Sequence, residues 1–499
     1  MEKPTTHIAL VSVPAFSHQI SILEFAKRLI QLHNHTTTTN FHVTCIIPTL
    51  TSPTTLYSKP FFDSLPPSIH CIFLPPVNFD DLQNNGDSVE NQVQLSTSRA
   101  MPLVRDTLTS LVTNIATPGG TVAAAAAATT TSNKVVALIV DAMATEALEF
   151  GKELNILSYL YFPCSTMLLS MCLHFSKLDE IVLCEYKDHP QLIEIPGCIP
   201  VNGIDLPDSV QDRGSLAYKL FLQRCQQYRG VDGILVNSFL EMEDEATRAI
   251  SPEKGSGNPP VYPIGPIIQT WPGGPRSSCD CKCLVWLDNQ PLNSVLYVSF
   301  GSGGTLSQEQ INELALGLEL SRQKFLWVNL RAPNDRASAT YFSGDLVDEP
   351  LHFLPVGFLE RTKGQGLVMP TWAPQTEILG HSAVGAFLTH CGWNSILESV
   401  VKGVPMIAWP LFAEQRTNAA LVTHGLKVAL RPKSGNCVVV KEEIACLVKG
   451  MMEGLEGEEV RRRMKELQKS AACALMEDGS STSTIYKLAY KWKTLGISF

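Results

Sequence analysis

The chain has 499 residues, of which 44% are hydrophobic and 17% charged, and it carries a formal net charge of −9. That length exceeds one ordinary core and favours two domains. The acidic balance argues against nucleic acid as a partner, and no apolar run reaches the roughly 18 residues of a membrane span.

The first half alternates strand and helix signals. HIALVSV (7–13) reads as a buried first strand rather than a secretory leader, and ISILEFAKRLIQL (20–32) as an amphipathic helix. Strands are expected at 41–48, 69–75, 134–142, 157–162 and 231–239, with a helix at 146–156. Continuous apolar strands separated by amphipathic helices predict a parallel sheet covered on both faces. Residues 118–133 are low in complexity, with an Ala run between Gly and Thr, and read as a surface loop.

A polar stretch rich in Pro and Gly, SPEKGSGNPP (251–260), is expected to link two domains, 1–250 and 261–480. Cys279, Cys281 and Cys283 form the one local cysteine cluster. No second cluster lies at zinc-site spacing, so CDCKC is read as an exposed linker segment and no metal is expected. Fourteen cysteines in a chain read as leaderless suggest reduced thiols in the cytoplasm.

The second half repeats the alternation, with strands expected at 294–300, 324–330, 366–372, 385–390, 405–410 and 427–432. A helix at 307–321 opens with a capping-box pair, Ser307 and Gln310. Residues 441–476 have a helical pattern with a charged, solvated face, and 481–492 form a helix with an apolar stripe.

Trp372 to Gln415 is the segment richest in chemistry. GAFLT is apolar and strand-like, His390, Cys391 and Gly392 turn the chain, and a helix then begins near Asn394 and Ser395 and ends at Gly403. A helix N-terminus offers unpaired N–H groups and the positive end of a dipole to a phosphate, and His390 and Ser395 can add side-chain donors. Glu398, one turn on, can accept both hydroxyls of a ribose. Trp372 offers a flat face to a nucleobase. Glu414 and Gln415 supply an acceptor and an amide suited to sugar hydroxyls. The Gly301–Gly304 turn, GSGG, lacks the GxGxxG spacing of dinucleotide oxidoreductases.

This segment resembles, without a gap, the signature box of the plant family 1 UDP-glycosyltransferases, which glycosylate small molecules. Trp372, Pro374, Gln375, His390, Gly392, Trp393, Asn394, Ser395, Glu398, Pro405 and Gln415 carry the match. The resemblance implies the GT-B fold, an α/β architecture of two facing Rossmann-like domains, with a C-terminal helix (481–499) that packs back on the first domain. It implies UDP-glucose as co-substrate and no metal cofactor. Ser302, Trp372, Ala373, Gln375, His390, Trp393, Asn394, Ser395, Glu398, Glu414 and Gln415 become the expected donor-binding set, with Trp393, Glu414 and Gln415 facing the hexose. Gln415 resembles the glucose-using members, whereas galactose-using relatives often have His there, and Glu414 replaces the commoner Asp.

Attack of an acceptor hydroxyl on the anomeric carbon needs a base that titrates near neutrality, an orienter for that base and a stabilised diphosphate. His18 follows the first strand and Asp141 ends the 134–142 strand, and in the family these two positions carry the catalytic dyad. The usual turn there is of PGxGH type; here Pro14-Ala15-Phe16-Ser17-His18-Gln19 replaces both glycines. MPLVRDTL (101–108), IPGCIP (195–200), YVSFGSGG (297–304) and ATYFS (339–343) narrow the resemblance to the group that glucosylates small phenols, including hydroquinone and monolignol-type compounds. Relatives in that group accept chlorinated anilines or indoxyl. The expected activity is inverting O-glucosyl transfer from UDP-glucose to a small phenol, giving a β-glucoside, by a cytoplasmic monomer. Flavonoids, terpenoids and aromatic amines are the alternative acceptors, and a catalytically weak UDP-sugar-binding protein is the alternative class.

Overall fold

The computed structural model describes residues 5–34, 40–50, 58–79, 81–82, 88–113, 135–252, 257–270, 278–341, 350–433 and 438–497. Residues 118–133 lie outside them. Two parallel sheets organise the chain. The first has the order β3-β2-β1-β4-β5-β6-β7 and the second β10-β9-β8-β11-β12-β13. In the first, β1 (Thr5–Val11) lies between β2 (Asn40–Ile47) and β4 (Val135–Asp141), and β3 (Ile69–Phe73) flanks β2. β5 (Leu157–Phe162), β6 (Gly233–Val236) and β7 (Val261–Pro263) extend the other side. In the second, β8 (Val295–Ser299) lies between β9 (Lys324–Val328) and β11 (Val384–Thr389). β10 (Gly366–Met369), β12 (Met406–Ala408) and β13 (Ala429–Leu430) complete it.

Each sheet reverses its winding once, beside its central strand. In the first sheet the reversal falls between β1 and β4, and in the second between β8 and β11. Loops leaving the carboxyl ends of such a strand pair diverge to opposite faces and leave a crevice, which is where ligands of doubly wound sheets bind. This is the GT-B arrangement that the resemblance implied.

The domain boundary differs from the sequence expectation. Val261–Pro263 pairs with Ile234–Val236, so the first sheet continues past 251–260 and the chain leaves it only after 263. A three-residue strand flanked by prolines is too short for a pattern to find. CDCKC is corrected as well. It lies in the helix Ser278–Asp288, and Cys283 is fully buried against Leu287 and Tyr297 rather than exposed. Only half of the expected capping box forms. Ser307 accepts the Gln310 N–H at 3.2 Å, while the Gln310 carboxamide pairs with the Val439 backbone at 3.0 and 2.8 Å. The 441–476 segment is two helices, Lys441–Glu453 and Leu455–Leu475, broken at Gly454. Three helices of the first half were not expected from the sequence: Val89–Thr113, Thr166–Ile181 and Leu216–Gln227. The first includes an internal Pro102, and the second buries apolar residues on most of its circumference.

The C-terminal helix Ser480–Ile497 returns to the first sheet. Ile485, Leu488, Ala489 and Trp492 join the core formed by Ile8, Leu10, Phe25 and Tyr159. The Trp492 ring meets Tyr159 edge-on at 5.5 Å. Burying an aromatic of that size contributes about 2–3 kcal/mol to the docking of the terminal helix. Polar contacts fix the two sheets' surroundings together. Asp208 exchanges hydrogen bonds with Ala413 (3.0 Å each way) and pairs with Arg416 at 2.6 Å, and Asp205 pairs with Arg431 at 2.8 Å.

Candidate active site

β1 ends at Val11, and the chain turns through Pro14 into the helix Phe16–Asn34. His18 therefore lies in the first helical turn, above the carboxyl end of the central strand. Its Nδ1 is 2.9 Å from Asp141 Oδ2, and Asp141, at the end of neighbouring β4, is fully buried. The other Asp141 oxygen accepts the Met143 N–H at 3.0 Å, so the carboxylate is fixed at both ends. A carboxylate oxygen only accepts, so Nδ1 carries the proton and the Nε2 lone pair is left free as a base. Burial pulls the imidazolium down, but the charge and hydrogen bond of Asp141, helped by Glu414, outweigh burial and the opposing Arg224, and the net shift of the His18 pKa is upward.

The departures from the glycine-rich turn have a local explanation. No residue of Pro14–Gln19 has a positive φ, so Ala15 and Ser17 do not stand where glycine is required. The Ala15 carbonyl accepts the N–H groups of His18 and Gln19 at 3.0 and 3.1 Å, and the Gln19 side chain donates to the Val13 carbonyl at 2.9 Å. Gln19 is buried and braces the turn.

On the second sheet, β11 delivers His390 and the helix Trp393–Lys402 follows after Cys391 and Gly392. Cys391 takes the left-handed φ of 63° at this sharp turn, a cost on the order of 1 kcal/mol. No side chain caps the helix N-terminus, which leaves its first-turn N–H groups available to an anion. Gly403, with φ 70°, ends the helix at the expected residue. The His390 ring lies between two glycines. A Cβ on Gly301 would come within 2.6 Å of it, and one on Gly392 within 2.5 Å. Burial lowers the His390 pKa to about 4, so the ring is neutral near pH 7 and presents one N–H and one lone pair. Its Nδ1 is buried without a hydrogen-bond partner among the described residues. An orphaned buried nitrogen beside a free helix N-terminus and the exposed Ser302 fits an arriving diphosphate oxygen.

The rest of the expected donor set divides into two groups. Gln375 donates to Glu398 Oε2 at 2.8 Å and to Ser395 Oγ at 3.0 Å, which ties the three together. Burial raises Glu398 to about 7 against the lowering pull of Gln375, Thr376 and Lys402. Trp372 is half-buried beside the buried Ala373, and among the described residues no ring stacks on its face.

The second group is spent partly on structure. Gln415 Oε1 accepts the N–H groups of Leu411 and Phe412 at 2.9 and 3.1 Å, so its NH2 is the end left for a ligand. Trp393 donates its indole N–H to the Asn237 carbonyl at 2.7 Å, across the cleft, leaving no indole N–H for a hexose. Asn394 donates to the Ser17 carbonyl at 3.3 Å, joining the donor box to the turn that carries His18. Glu414, raised by burial, is held by Asn418 at 3.2 Å and acts on His18 through its charge.

Two residues of this basin, Glu90 and Arg224, carried no sequence signal, and Tyr341 lies in the ATYFS segment without a role read for it. Glu90, Arg224 and Tyr341 are coupled electrostatically to the His18 surroundings although they lie far apart in the chain. Tyr341 packs on the Gly301–Gly304 turn, where a Cβ on Gly303 would come within 2.5 Å of it, and its hydroxyl bonds to Ser17. Among the described residues no group of three His, Cys, Asp or Glu side chains is placed to hold a metal, and no helix is long and apolar enough to cross a membrane.

A family model described as UDP-glucoronosyl and UDP-glucosyl transferase matches residues 276–442. The chain is 49% identical to a hydroquinone glucosyltransferase of Rauvolfia serpentina, over 98% of each protein. It superposes with a TM-score of 0.85 on a Polygonum tinctorium UDP-glucosyltransferase that glucosylates indoxyl, solved with 3,4-dichloroaniline (42% identity; 99% of this chain, 100% of that one). It superposes at 0.83 on Phytolacca americana UGT2 bound to UDP-2-fluoro-glucose and pterostilbene (41% identity; 98% and 100%).

Proposed function

The chain belongs to the UDP-glucoronosyl and UDP-glucosyl transferase family, and we propose that within it the enzyme moves glucose from UDP-glucose to the hydroxyl of a small phenol. The observation that carries this reading is the opposition of two switch points. The His18–Asp141 pair sits at one, the His390 turn and helix N-terminus sit at the other, and the Asn394–Ser17 contact joins them.

The phenol binds with its hydroxyl at His18 Nε2. His18 takes the proton while the phenol oxygen attacks the anomeric carbon, and Asp141 stabilises the imidazolium that forms. A phenol suits this base, because its pKa of about 10 lies far below that of an alkyl alcohol. The bond from the anomeric carbon to the diphosphate oxygen breaks as the new one forms, so an α-linked donor gives a β-glucoside. Charge developing on UDP falls on His390, Ser302, Ser395 and the N–H groups of the helix Trp393–Lys402. Glu398 and Gln375 take the ribose, Trp372 and Ala373 the base, and Glu414 with the Gln415 NH2 the hexose hydroxyls.

The reading extends to a monomeric cytosolic enzyme, motivated by its acidic, thiol-rich composition; size-exclusion chromatography and cell fractionation check that part. The test of function is a panel of acceptors with UDP-glucose: hydroquinone, a monolignol, a flavonol, a terpenoid alcohol and a chloroaniline. The expected result is the highest kcat/KM on a small phenol. Absence of transfer to every member, with UDP still bound, would leave only a UDP-sugar-binding protein.

A further inference from the structure

Arg224 is a cation buried without an ion pair. It lies on the helix Leu216–Gln227, is 7% exposed, and takes part in no salt bridge among the described residues. Its one hydrogen bond among the described residues runs from Nη1 to the neutral Gln94 carboxamide oxygen at 2.7 Å. Its guanidinium also lies 5.3 Å from the Phe221 ring centre. Among the described residues Nε and Nη2 carry no hydrogen bond, and neither is fully enclosed.

Arg224 lies on the side of the base: one turn further along its helix, the Tyr228 hydroxyl donates to the Ala142 carbonyl at 3.0 Å, next to Asp141. Gln94 and Glu90 are one turn apart on the helix Val89–Thr113, so they share a face, and Gln94 holds Arg224 against it. The positive charge of Arg224 reaches both His18 and Glu90. Glu90 shares that face but forms no ion pair with Arg224, and burial with the charges of Asp208 and Glu414 raises its carboxyl to about 7. A buried guanidinium without a counter-ion is costly unless a ligand pairs with it. Arg is also the side chain best shaped to grip a carboxylate with two parallel N–H bonds.

Resting on the phenol reading above, we propose that Arg224, positioned by Gln94, forms the far end of the acceptor site and selects aromatic acceptors that carry a carboxylate besides the reacting hydroxyl. With the carboxylate on Arg224, the phenol oxygen is the atom presented to His18. The glucosyl group passes from the UDP oxygen to that phenol oxygen, its proton goes to His18, and the carboxylate stays unesterified. The product is a phenolic glucoside and not a glucose ester.

The test compares kcat/KM for 4-hydroxybenzoate and hydroquinone in the wild type, Arg224→Gln and Arg224→Lys, with UDP binding as the check on folding. The ratio of 4-hydroxybenzoate to hydroquinone is expected to fall about tenfold or more in Arg224→Gln, chiefly through KM, because a charge-assisted bond is lost. Arg224→Lys keeps the charge and is expected to recover part of the ratio. Nuclear magnetic resonance of the wild-type product is expected to show glucose on the phenol oxygen. An unchanged ratio in both variants, a glucose ester as product, or a wild type that uses hydroquinone but not 4-hydroxybenzoate would overturn the inference and leave the phenol reading standing. A wild type inactive on both acceptors would instead remove the phenol reading on which it rests.

Discussion

His18 Nδ1 and Asp141 Oδ2 meet at 2.9 Å although 123 positions separate them in the chain. The contact follows from topology. β1 and β4 are adjacent, parallel and in register, with Val11 opposite Val140, so the loops leaving their carboxyl ends must start side by side. The buried carboxylate fixes both the rotamer and the tautomer of the imidazole, and through them the position of the base.

Asp141→Asn tests that coupling. An amide can present its NH2 to Nδ1, which selects the wrong tautomer and removes the compensating charge. Turnover on hydroquinone is expected to fall roughly 10²–10⁴-fold, the usual range for losing a positioned base, while UDP affinity measured by calorimetry stays within about threefold. Turnover within a factor of a few of the wild type would show that Asp141 does not govern the base.

The pH profile carries a sign. The His18 pKa is raised above its ordinary 6.5, through Asp141 and Glu414 against burial and Arg224. The base must be neutral to accept a proton, so log kcat/KM is expected to decline as pH falls through a midpoint above 6.5. Glu90 titrates in the same range, so the midpoint alone does not identify the group. Removing the Asp141 charge by Asp141→Asn should move the midpoint of the residual activity downward. A midpoint that stays in place would assign the limb to a group other than His18.

Gly301→Ala probes the donor side without touching a charged group. The new methyl would lie within 2.6 Å of the His390 ring, and Gly301 has φ +75°, a conformation that an L side chain resists. His390 must move away from the diphosphate position. UDP affinity is expected to drop about tenfold or more, the loss of a hydrogen bond to a charged group, with the pH dependence of transfer unaltered. Unchanged UDP affinity would take His390 out of the diphosphate site.

A histidine cluster at the amino ends of the first sheet bears on acid stability. Burial lowers the His42 and His70 pKa values, His42 further through the charge of His70, and their Nε2 and Nδ1 are buried without hydrogen-bond partners. A folded pKa below 6.5 means that the unfolded chain binds more protons as pH falls, so this contribution is present above pH 6.5 and lost below it. Glu90 and Glu398, raised to about 7, act in the opposite direction, so only a difference isolates the histidines. His42→Gln/His70→Gln is expected to gain stability relative to the wild type between pH 7.5 and pH 5, read from urea midpoints. A difference independent of pH would contradict the assignment.

The site was legible in the sequence where one short segment holds the chemistry. The strand, turn and helix around His390 are local, so their residues fall into place once the apolar run and Gly403 are recognised. The His18–Asp141 pair was readable because each residue stands at the end of a strong strand signal and because the family resemblance implies a dyad at those positions. Glu90, Gln94 and Arg224 were not, since each sits on a helix whose pattern says nothing about which buried polar face borders a cleft. β7 was missed because three residues show no alternation, and CDCKC because small thiols look polar in a linker and apolar in a helix. The duties of Gln19 and Trp393 depend on Val13 and Asn237 carbonyls, and backbone acceptors leave no trace in side-chain identity.

One measurement bears most directly on the central claim that His18 deprotonates a phenol for inverting transfer. UDP-α-glucose and hydroquinone are mixed with excess enzyme, wild type or His18→Ala, and single-turnover product is followed by proton nuclear magnetic resonance. The account predicts a β-anomeric glucoside from the wild type, formation slowed roughly 10²–10⁴-fold in His18→Ala, and UDP binding retained in both. An α-anomeric product, or formation by His18→Ala at nearly the wild-type rate, would contradict it.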